Sequence, residues 1–207
     1  MSLSFDTIKL FVFDLDGTFY EQKKVKSLII KKFLFQLSVL SKYNKARKLL
    51  VGKKFDSHDE LVSETSKLMG KKSNEWILNK FYPNFYQSFT KLEAHPLANE
   101  VLNTLRKNDV KIAVVSDYGN VKERLVQLNI NIDLIDFMYG TETDGALKPN
   151  RFIGEKIQSE FNLPPTNILY IGDRIDTDQA IAKNMGSSFF GITFENESPK
   201  DFYSWQD

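Results

Sequence analysis

Two acidic residues, separated by one position, follow an apolar stretch near the start of the chain. Residues 10–13 read LFVF, Asp14 and Asp16 come directly after them, and Gly17 and Thr18 follow. Neighbouring carboxylates repel one another, and their pKa values rise unless a cation joins them. The stretch therefore predicts a site at the end of a buried strand that binds something positively charged.

Further polar side chains with possible catalytic chemistry follow other apolar stretches. Ser116 ends the stretch KIAVVS, and Lys148 stands in GALKPN at the predicted start of a helix. The stretch NILYI runs into GDRIDTD, which contributes Asp173, Asp176 and Asp178. Ligands of open parallel sheets bind beyond the carboxyl ends of the strands, so we expect these side chains to meet there.

The side-chain types at these strand ends favour a hard metal ion and a phosphoryl group. The set offers carboxylates, a hydroxyl and an ammonium, without cysteine or histidine. Oxygen ligands alone suit Mg²⁺, with Mn²⁺ as a working substitute. A lysine and a hydroxyl beside such an ion suit a phosphoryl group. We therefore predict that the acids bind Mg²⁺ and that one of them reacts with phosphorus.

The elements that must position these residues alternate between strand and helix. Strands are predicted at 8–13, 111–116, 137–139, 167–171 and 188–192, and helices at 98–108, 119–129, 152–161 and 176–185. This alternation predicts an α/β fold with a Rossmann-like parallel sheet and helices on both faces. Asp176 is expected to cap the last helix, because Gln179 completes a capping box.

Residues 21–92 interrupt the alternation, because only helical patterns are evident there. Ser57 and Glu60 form a capping box, and apolar residues recur at helical spacing at positions 29, 33, 37 and 40 and again at 81, 85 and 89. The aromatic stripe is interpreted as the core of a helical bundle, with substrate lining or dimerisation as the alternative. We predict a helical cap domain at 21–92 and a catalytic core made of 1–20 and 93–207.

Composition narrows the class of protein. The chain has 207 residues, a net charge of +1 and no cysteine, which excludes disulfides, a thiol nucleophile and thiolate–zinc sites. Residues 22–54 contain 11 Lys and Arg and no Asp or Glu. This segment is either a solvated helical face or a positive lid over a site that receives anions. Without an apolar run of membrane-spanning length or a secretory signal pattern, we expect a soluble cytoplasmic protein.

Four short motifs occur in an order that resembles a known superfamily. DLDGT, VVSD, LKP and GDRIDTD, at 14–18, 114–117, 147–149 and 172–178, resemble the signature motifs of the haloacid dehalogenase-like hydrolases. The helical insert lies between the first and second motifs, as in the helical cap of the phosphoglycolate phosphatase-like branch. The motifs span Asp14 to Asp178, which is most of the chain, and each falls at a predicted strand end or helix start.

The resemblance implies a role for each residue of the first motif. Asp14 would be the nucleophile that forms an aspartyl-phosphate. Asp16 would protonate the leaving oxygen and then activate water, and its backbone carbonyl would bind Mg²⁺. Thr18 would help to hold Asp16 and lies among the expected phosphate-binding residues.

The other motifs would complete the site. Ser116 and the loop at Asp117 would bind a phosphoryl oxygen, although the superfamily more often has Asn at the second position. Lys148 would neutralise charge on the phosphate and the nucleophile. Asp173 would be the second carboxylate on the metal, and Asp178 would lie behind it, on a metal-bound water or against Lys148.

The expected function is a Mg²⁺-dependent phosphatase that hydrolyses a small phosphorylated metabolite. A phosphomutase with the same core chemistry, a phosphonate hydrolase with an imine-forming cap lysine and a non-catalytic module that retains the fold remain alternatives. The basic segment suggests Arg47, Lys53 and Lys54 as substrate contacts. We expect no nucleic-acid or membrane partner, and a monomer or homodimer.

Overall fold

A six-stranded parallel sheet forms the centre of the computed structural model, which describes residues 7–70, 73–194 and 202–205. The strands are β1 Leu10–Asp14, β2 Lys111–Ser116, β3 Phe137–Gly140, β4 Ile168–Gly172, β5 Ser188–Thr193 and β6 Phe202–Ser204. Their order is β3-β2-β1-β4-β5-β6, and every adjacent pair is parallel. The central position of β1 places Asp14 between the ends of β2 and β4.

Most of the helices lie between β1 and β2, and one helix follows each of β2, β3 and β4. They are α1 Gln22–Lys32, α2 Leu37–Leu49, α3 His58–Leu68, α4 Asn74–Trp76, α5 Tyr82–Ser88, α6 Ala98–Lys107, α7 Val121–Gln127, α8 Arg151–Phe161 and α9 Ala180–Met185. Two π-helical turns, Ile77–Phe81 and Ile175–Gln179, precede α5 and α9. The described helices are too short and too polar for one to cross a membrane.

The sheet separates two apolar cores, because successive residues of a strand point to opposite faces. Leu10 and Val12 of β1 are fully buried in the core that α8 and α9 cover. Phe13 points the other way, into the core that α6 and α7 cover. Covering both faces explains why β1, β2 and β4 are apolar runs rather than alternating sequences. The predicted Rossmann-like class with helices on both faces is confirmed.

Five of the six strands coincide with predicted ones, with ends that differ by at most two residues. The exception is β6, in a C-terminal segment that offered no apolar run. Gly191 of β5 is paired with Phe202, whose ring would lie 2.7 Å from a Cβ at position 191. The short strand thus depends on a tertiary contact with a glycine, which local sequence does not reveal.

The predicted cap at Asp176 is wrong. The helical segment begins at Ile175, one residue earlier, so Asp176 lies inside its first turn. Its carboxylate is bound by Arg174, with Nη2 2.6 Å from Oδ2 and Nε 3.0 Å from Oδ1. The ion pair with the adjacent arginine replaces the expected bond to the helix amide groups.

Helices α1–α5 occupy the insert, and no strand of the sheet falls within its described part, 21–70 and 73–92. The Ser57 hydroxyl accepts a hydrogen bond from the backbone N–H of Glu60 at 3.2 Å, as predicted. The Glu60 carboxylate accepts from Asp56 rather than from Ser57. Phe81, Phe85 and Phe89 are buried, so the aromatic stripe forms core, continuous with the core under α6 and α7.

Candidate active site

Lys148 connects two carboxylates at the carboxyl edge of the sheet. Its ammonium donates to Asp14 Oδ1 and, at 2.8 Å, to Asp178 Oδ1, and all three residues are buried. The hydroxyl of Thr18, which was expected to help hold Asp16, instead donates to Asp14 Oδ2 at 3.3 Å. Burial disfavours the charge of Lys148, but Asp14 and Asp178 raise its pKa well above the usual value. Lys148 is therefore a fixed positive charge against Asp14.

Two glycines allow the loops at this edge to approach each other closely. Gly17 has φ +101°, and a Cβ there would lie 2.1 Å from Asp173 Oδ2. A Cβ on Gly172 would lie 2.5 Å from Asp178. The glycines of DLDGT and GDRIDTD therefore bring the loop after β1 and the acids after β4 together.

The carboxylate of Asp117 positions the backbone of Lys148. One oxygen, Oδ1, accepts the backbone N–H of Lys148 at 2.8 Å and the hydroxyl of Thr141 at 3.1 Å. Two hydrogen bonds thus attach the loop after β2 to the start of the segment that carries Lys148. An amide side chain could accept through its oxygen in the same way, so Asp at this position keeps the connection.

Asp14, Asp173 and Asp178 form a carboxylate cluster that could hold a metal ion. One oxygen from each lies within 4.8 Å of the others. Burial, and then the charge of Asp178, raises the pKa of Asp173 to about 7. Burial also raises the pKa of Asp14, which Lys148 opposes and the neighbouring acids reinforce. Carboxylates this close together are expected to bind a cation or a proton.

Two further observations fit a divalent cation at this cluster. The Oδ1 atom of Asp173 is buried and has no hydrogen-bond partner. Three carboxylates with one ammonium leave two negative charges when all are ionised. Oxygen ligands of this kind suit Mg²⁺. Asp14 and Asp173 are together, as the predicted ligand set requires, and Asp178 joins them while also contacting Lys148.

Asp16 is held by three donors on neighbouring elements. Its Oδ1 accepts the hydroxyl of Tyr20 at 2.5 Å and the guanidinium of Arg124, and its Oδ2 accepts the hydroxyl of Ser116 at 2.5 Å. Ser116, predicted to bind a phosphoryl oxygen, thus contacts Asp16 here and also accepts Arg124 Nη1 at 2.8 Å. Burial disfavours the charge of Arg124, but Asp16 holds its pKa above the usual value.

Sequence reasoning did not find Arg124 and Tyr20. Arg124 stands in VKERLVQ, where a charged residue is typical of an exposed helix face, yet it is fully buried. Tyr20 lies four residues after Asp16, directly before the insert, and that proximity was the only available signal.

A buried acid, Glu142, connects the insert to the core. It accepts the backbone N–H of Gly119 at 2.8 Å and the hydroxyls of Tyr82 at 3.0 Å and Tyr86 at 3.3 Å. Arg47 of α2 forms an ion pair with it, with Nη1 3.3 Å from Oε2. The sequence did not indicate a role for Glu142 either, because TETDG is typical of an exposed turn.

The three basic residues suggested as substrate contacts lie in different surroundings. Arg47 is partly buried and lines a cavity of about 580 Å³ between the insert and the sheet edge. Lys53 and Lys54 are exposed and do not line this cavity. The ammonium of Lys54 lies instead 5.0 Å from the ring centre of Phe152.

Replacing Asp173 with Asn is expected to stabilise the metal-free protein at neutral pH. Its pKa of about 7 exceeds the unfolded value of ~3.9, so its contribution to stability is present below the unfolded pKa. That contribution is lost as the pH rises through about 7. Urea titrations with a chelator give the unfolding free energy at about pH 5 and about pH 8. The decrease between these two pH values should be smaller for Asp173→Asn than for the parent.

Magnesium gives the matched control for this stability measurement. Mg²⁺ should raise the unfolding free energy of the parent at about pH 8 and raise that of Asp173→Asn less, because a ligand is missing. The same pH dependence and the same Mg²⁺ response in both proteins would contradict a metal site at this cluster.

The chain belongs to the haloacid dehalogenase-like hydrolases, because this family matches residues 11–192. The match includes all four motifs and the whole insert between them. Within that class the chain is an enzyme, a hydrolase whose motif residues converge at one edge of the sheet.

Individual relatives and structures agree with this assignment. A glyceraldehyde 3-phosphate phosphatase of Pyrococcus furiosus is 24% identical over 190 residues, which cover 86% of this chain and 78% of that protein. The structure of a haloacid dehalogenase-type phosphatase from Thermococcus onnurineus matches with a TM-score of 0.68 and 19% identity, over 94% of this chain and 92% of the other. A β-phosphoglucomutase from Clostridium difficile matches with a TM-score of 0.65 and 19% identity, over 91% and 85%. These two structural matches concern the fold.

Proposed function

We propose that this phosphatase hydrolyses a small phosphate monoester by way of an aspartyl-phosphate on Asp14, with Mg²⁺ at Asp14, Asp173 and the backbone carbonyl of Asp16. The observation that carries the proposal is the contact of Lys148 with both Asp14 and Asp178, beside a cluster with excess negative charge. Lys148 places an ammonium beside the buried carboxylate of Asp14, and a cation bound at the carboxylate cluster would balance its excess negative charge. Two positive charges at this position suit a phosphoryl group better than a neutral substrate. The P. furiosus relative, named for a phosphorylated substrate, supports the same class.

In the first step, a carboxylate oxygen of Asp14 attacks phosphorus and the bond from phosphorus to the alcohol oxygen breaks. Lys148 compensates the charge of the nucleophile and of the phosphoryl oxygens. Bound Mg²⁺ would supply further neutralisation of the phosphoryl oxygens. Asp16, in its protonated form, would give its proton to the leaving alcohol oxygen, which requires its carboxylate to leave at least one of its present donors.

In the second step, water attacks the phosphorus of the aspartyl-phosphate and releases phosphate and the Asp14 carboxylate. Asp16 takes a proton from the attacking water. The hydrogen bonds from Arg124, Tyr20 and Ser116 hold the Asp16 side chain in place for this step. In the next turnover, Asp16 gives this proton to the leaving alcohol oxygen.

We propose that residues 21–92 act as a cap over this site, with 1–20 and 93–207 as the catalytic core. The cavity of about 580 Å³ supports this, because its walls come from both α1–α2 and the loops at the sheet edge. Closure of such a cap would exclude bulk water from the phosphoryl group. A cytoplasmic location remains a prediction.

Metal dependence of phosphate release tests this function. The protein is stripped with a chelator, and phosphate release from 4-nitrophenyl phosphate is followed as Mg²⁺ or Mn²⁺ is added. We expect no turnover without metal, full turnover with Mg²⁺ and working turnover with Mn²⁺. Hydrolysis that persists undiminished after exhaustive chelation would contradict the assignment.

A further inference from the structure

We propose that the alcohol part of the substrate is a bulky apolar group, such as a ring, that carries a second anionic group. This inference rests on the proposed function, because it concerns the same site. Two connected spaces motivate it. A pocket of about 60 Å³ contains Asp14, Lys148, Asp173 and Asp178, and it adjoins the cavity of about 580 Å³. The phosphoryl group belongs in the small polar pocket, so the alcohol part extends into the large cavity.

The two spaces are joined by shared walls. Asp16, Gln22, Asp117, Tyr118 and Arg174 line both. A phosphoryl group next to Asp14 therefore has its leaving oxygen near Asp16, at the entrance to the large cavity. The volume of the large cavity lies within the ~300–1,000 Å³ of pockets that enclose ligands of several rings or similar bulk. A three-carbon phosphate ester would leave most of this space to water.

The walls of the large cavity are mainly apolar. α1 and α2 contribute Val25, Ile29 and Leu40, and the aromatic stripe contributes Phe81 and Phe85. Hydroxyl groups of a polyol would lose hydration against these side chains without finding partners, which is unfavourable. An apolar ring would instead gain from burial there. The lining therefore favours an apolar body over a small sugar or triose.

The insert side of the cavity is positively charged. Lys26, Lys48 and Arg47 line it, of which Arg47 is paired with Glu142, and no acidic residue of the insert does so. The two acids in the lining, Asp16 and Asp117, are already bound by Arg124 and by the amide of Lys148. Within the described residues, no carboxylate lies within 4.0 Å of the Lys48 ammonium, which makes it available to a second anion on the substrate.

Four phosphate esters of primary alcohols separate the two parts of the proposal. They are ethyl phosphate, the phosphate ester of 3-hydroxypropionate, benzyl phosphate and 4-carboxybenzyl phosphate. Similar leaving groups keep the chemistry comparable while the ring and the carboxylate vary independently. We expect the ring to raise kcat/KM by ~10–100-fold, the scale of burying a Phe-sized side chain. The carboxylate should add ~2–5-fold, the scale of a partly exposed ion pair.

Paired variants test the walls. Lys48→Met should lower kcat/KM for 4-carboxybenzyl phosphate ~3-fold more than for benzyl phosphate. Lys42→Met, on the same helix but outside the cavity lining, is the matched control and should change neither. Ile30→Ser should reduce the advantage of the ring, because Ile30 lines the cavity and is 49% exposed. Leu34→Ser, 57% exposed and outside the lining, is its control.

The outcomes separate this inference from the proposed function. If the ester of 3-hydroxypropionate is hydrolysed as efficiently as 4-carboxybenzyl phosphate, the inference is overturned and the phosphatase function stands. If Lys48→Met and Lys42→Met behave alike, the anionic part is overturned. If no ester of any kind releases phosphate with Mg²⁺ present, the proposed function itself fails.

A different observation points to Arg124 as a positioning residue for Asp16. Arg124 is fully buried and contacts Asp16, Ser116 and, at 3.4 Å, the backbone oxygen of Tyr118. Its guanidinium lies 4.5 Å from the ring centre of Phe89 and 5.3 Å from that of Phe85. These contacts hold the guanidinium in place, and they hold the Asp16 carboxylate with it.

Residues that contact Arg124 and Asp16 lie at both crossings, the two points where the chain passes between the core and the insert. Tyr20, at the first crossing, shares Asp16 Oδ1 with Arg124, and its ring packs edge-on against Phe89 at 5.2 Å. Phe89, at the second crossing, lies against Arg124. We infer that Arg124 orients Asp16 for proton transfer from water and makes that orientation depend on both crossings.

Rapid-quench kinetics with an aryl phosphate test this role. Arg124→Met should leave the burst of phenolate in place and slow the following steady state ~10–100-fold, because a misplaced base affects the second step. Arg124→Lys should restore part of the rate. Tyr20→Phe, which keeps the ring and removes one donor, should slow the same step less.

The split between the two steps is the deciding readout. Loss of folding alone would lower burst and steady state together, so thermal unfolding is measured in parallel. A steady-state rate at the parent level in folded Arg124→Met, or equal slowing of both steps, would overturn the role. If Arg124→Met does not fold, an unchanged second step in Tyr20→Phe overturns it.

Discussion

Replacing Asp14 with Asn is expected to abolish turnover. An amide is a poor nucleophile and a poorer Mg²⁺ ligand than a carboxylate, so both the attack on phosphorus and the metal site suffer. The loss in kcat should be on the order of 10⁴-fold or more, as when the nucleophile of another covalent mechanism is removed. Phosphate release from 4-nitrophenyl phosphate at saturating Mg²⁺ measures it.

The Asp14 variant should still fold, which makes the loss interpretable. Lys148 retains Asp178 at 2.8 Å as its partner, so its charge remains compensated. Removing one of several crowded acids also relieves repulsion in the metal-free state. An unchanged thermal midpoint with no turnover supports the nucleophile assignment, and turnover within tenfold of the parent would refute it.

Replacing Asp16 with Asn should separate the two chemical steps. Its backbone carbonyl remains, so metal binding should largely survive. An aryl phosphate needs little proton donation to its leaving group, so the aspartyl-phosphate should form and give a burst of phenolate. Water attack then lacks its base, and the steady state should fall by ~10²–10⁴-fold.

Alkyl phosphates provide the control for the Asp16 variant. Their leaving oxygen needs a proton, so the first step should also fail and no burst should appear. A variant that hydrolyses both types of ester at the parent rate would show that Asp16 is not the acid–base catalyst.

The motifs predicted the edge of the sheet where the site lies, because strand ends and glycines are local features. The apolar runs of β1, β2 and β4 give the sheet, and Gly17 and Gly172 allow Asp173 and Asp178 to approach. The contact between Lys148 and Asp14 depends on the order of the strands in the sheet. The alternation of strand and helix along the chain limits the possible orders.

The contacts that sequence missed are tertiary. Arg124 and Glu142 belong to segments with exposed-looking composition, and each is buried only because distant partners satisfy its charge. Asp16 accepts Arg124 from 108 positions away, and Tyr82 donates to Glu142 from 60 positions away. Lys53 and Lys54 looked equivalent to Arg47 in sequence, yet the turn of the chain after α2 places only Arg47 in the cavity.

Locating the phosphoryl group on the protein tests the central claim most directly. The Asp16→Asn protein is mixed with an aryl phosphate and Mg²⁺, quenched in acid during the burst, digested and analysed by mass spectrometry. The account predicts one phosphoryl group, on the peptide that contains Asp14, in an amount equal to the burst. A burst of phenolate without phosphorylation of that peptide, or with the phosphoryl group on another residue, would contradict it.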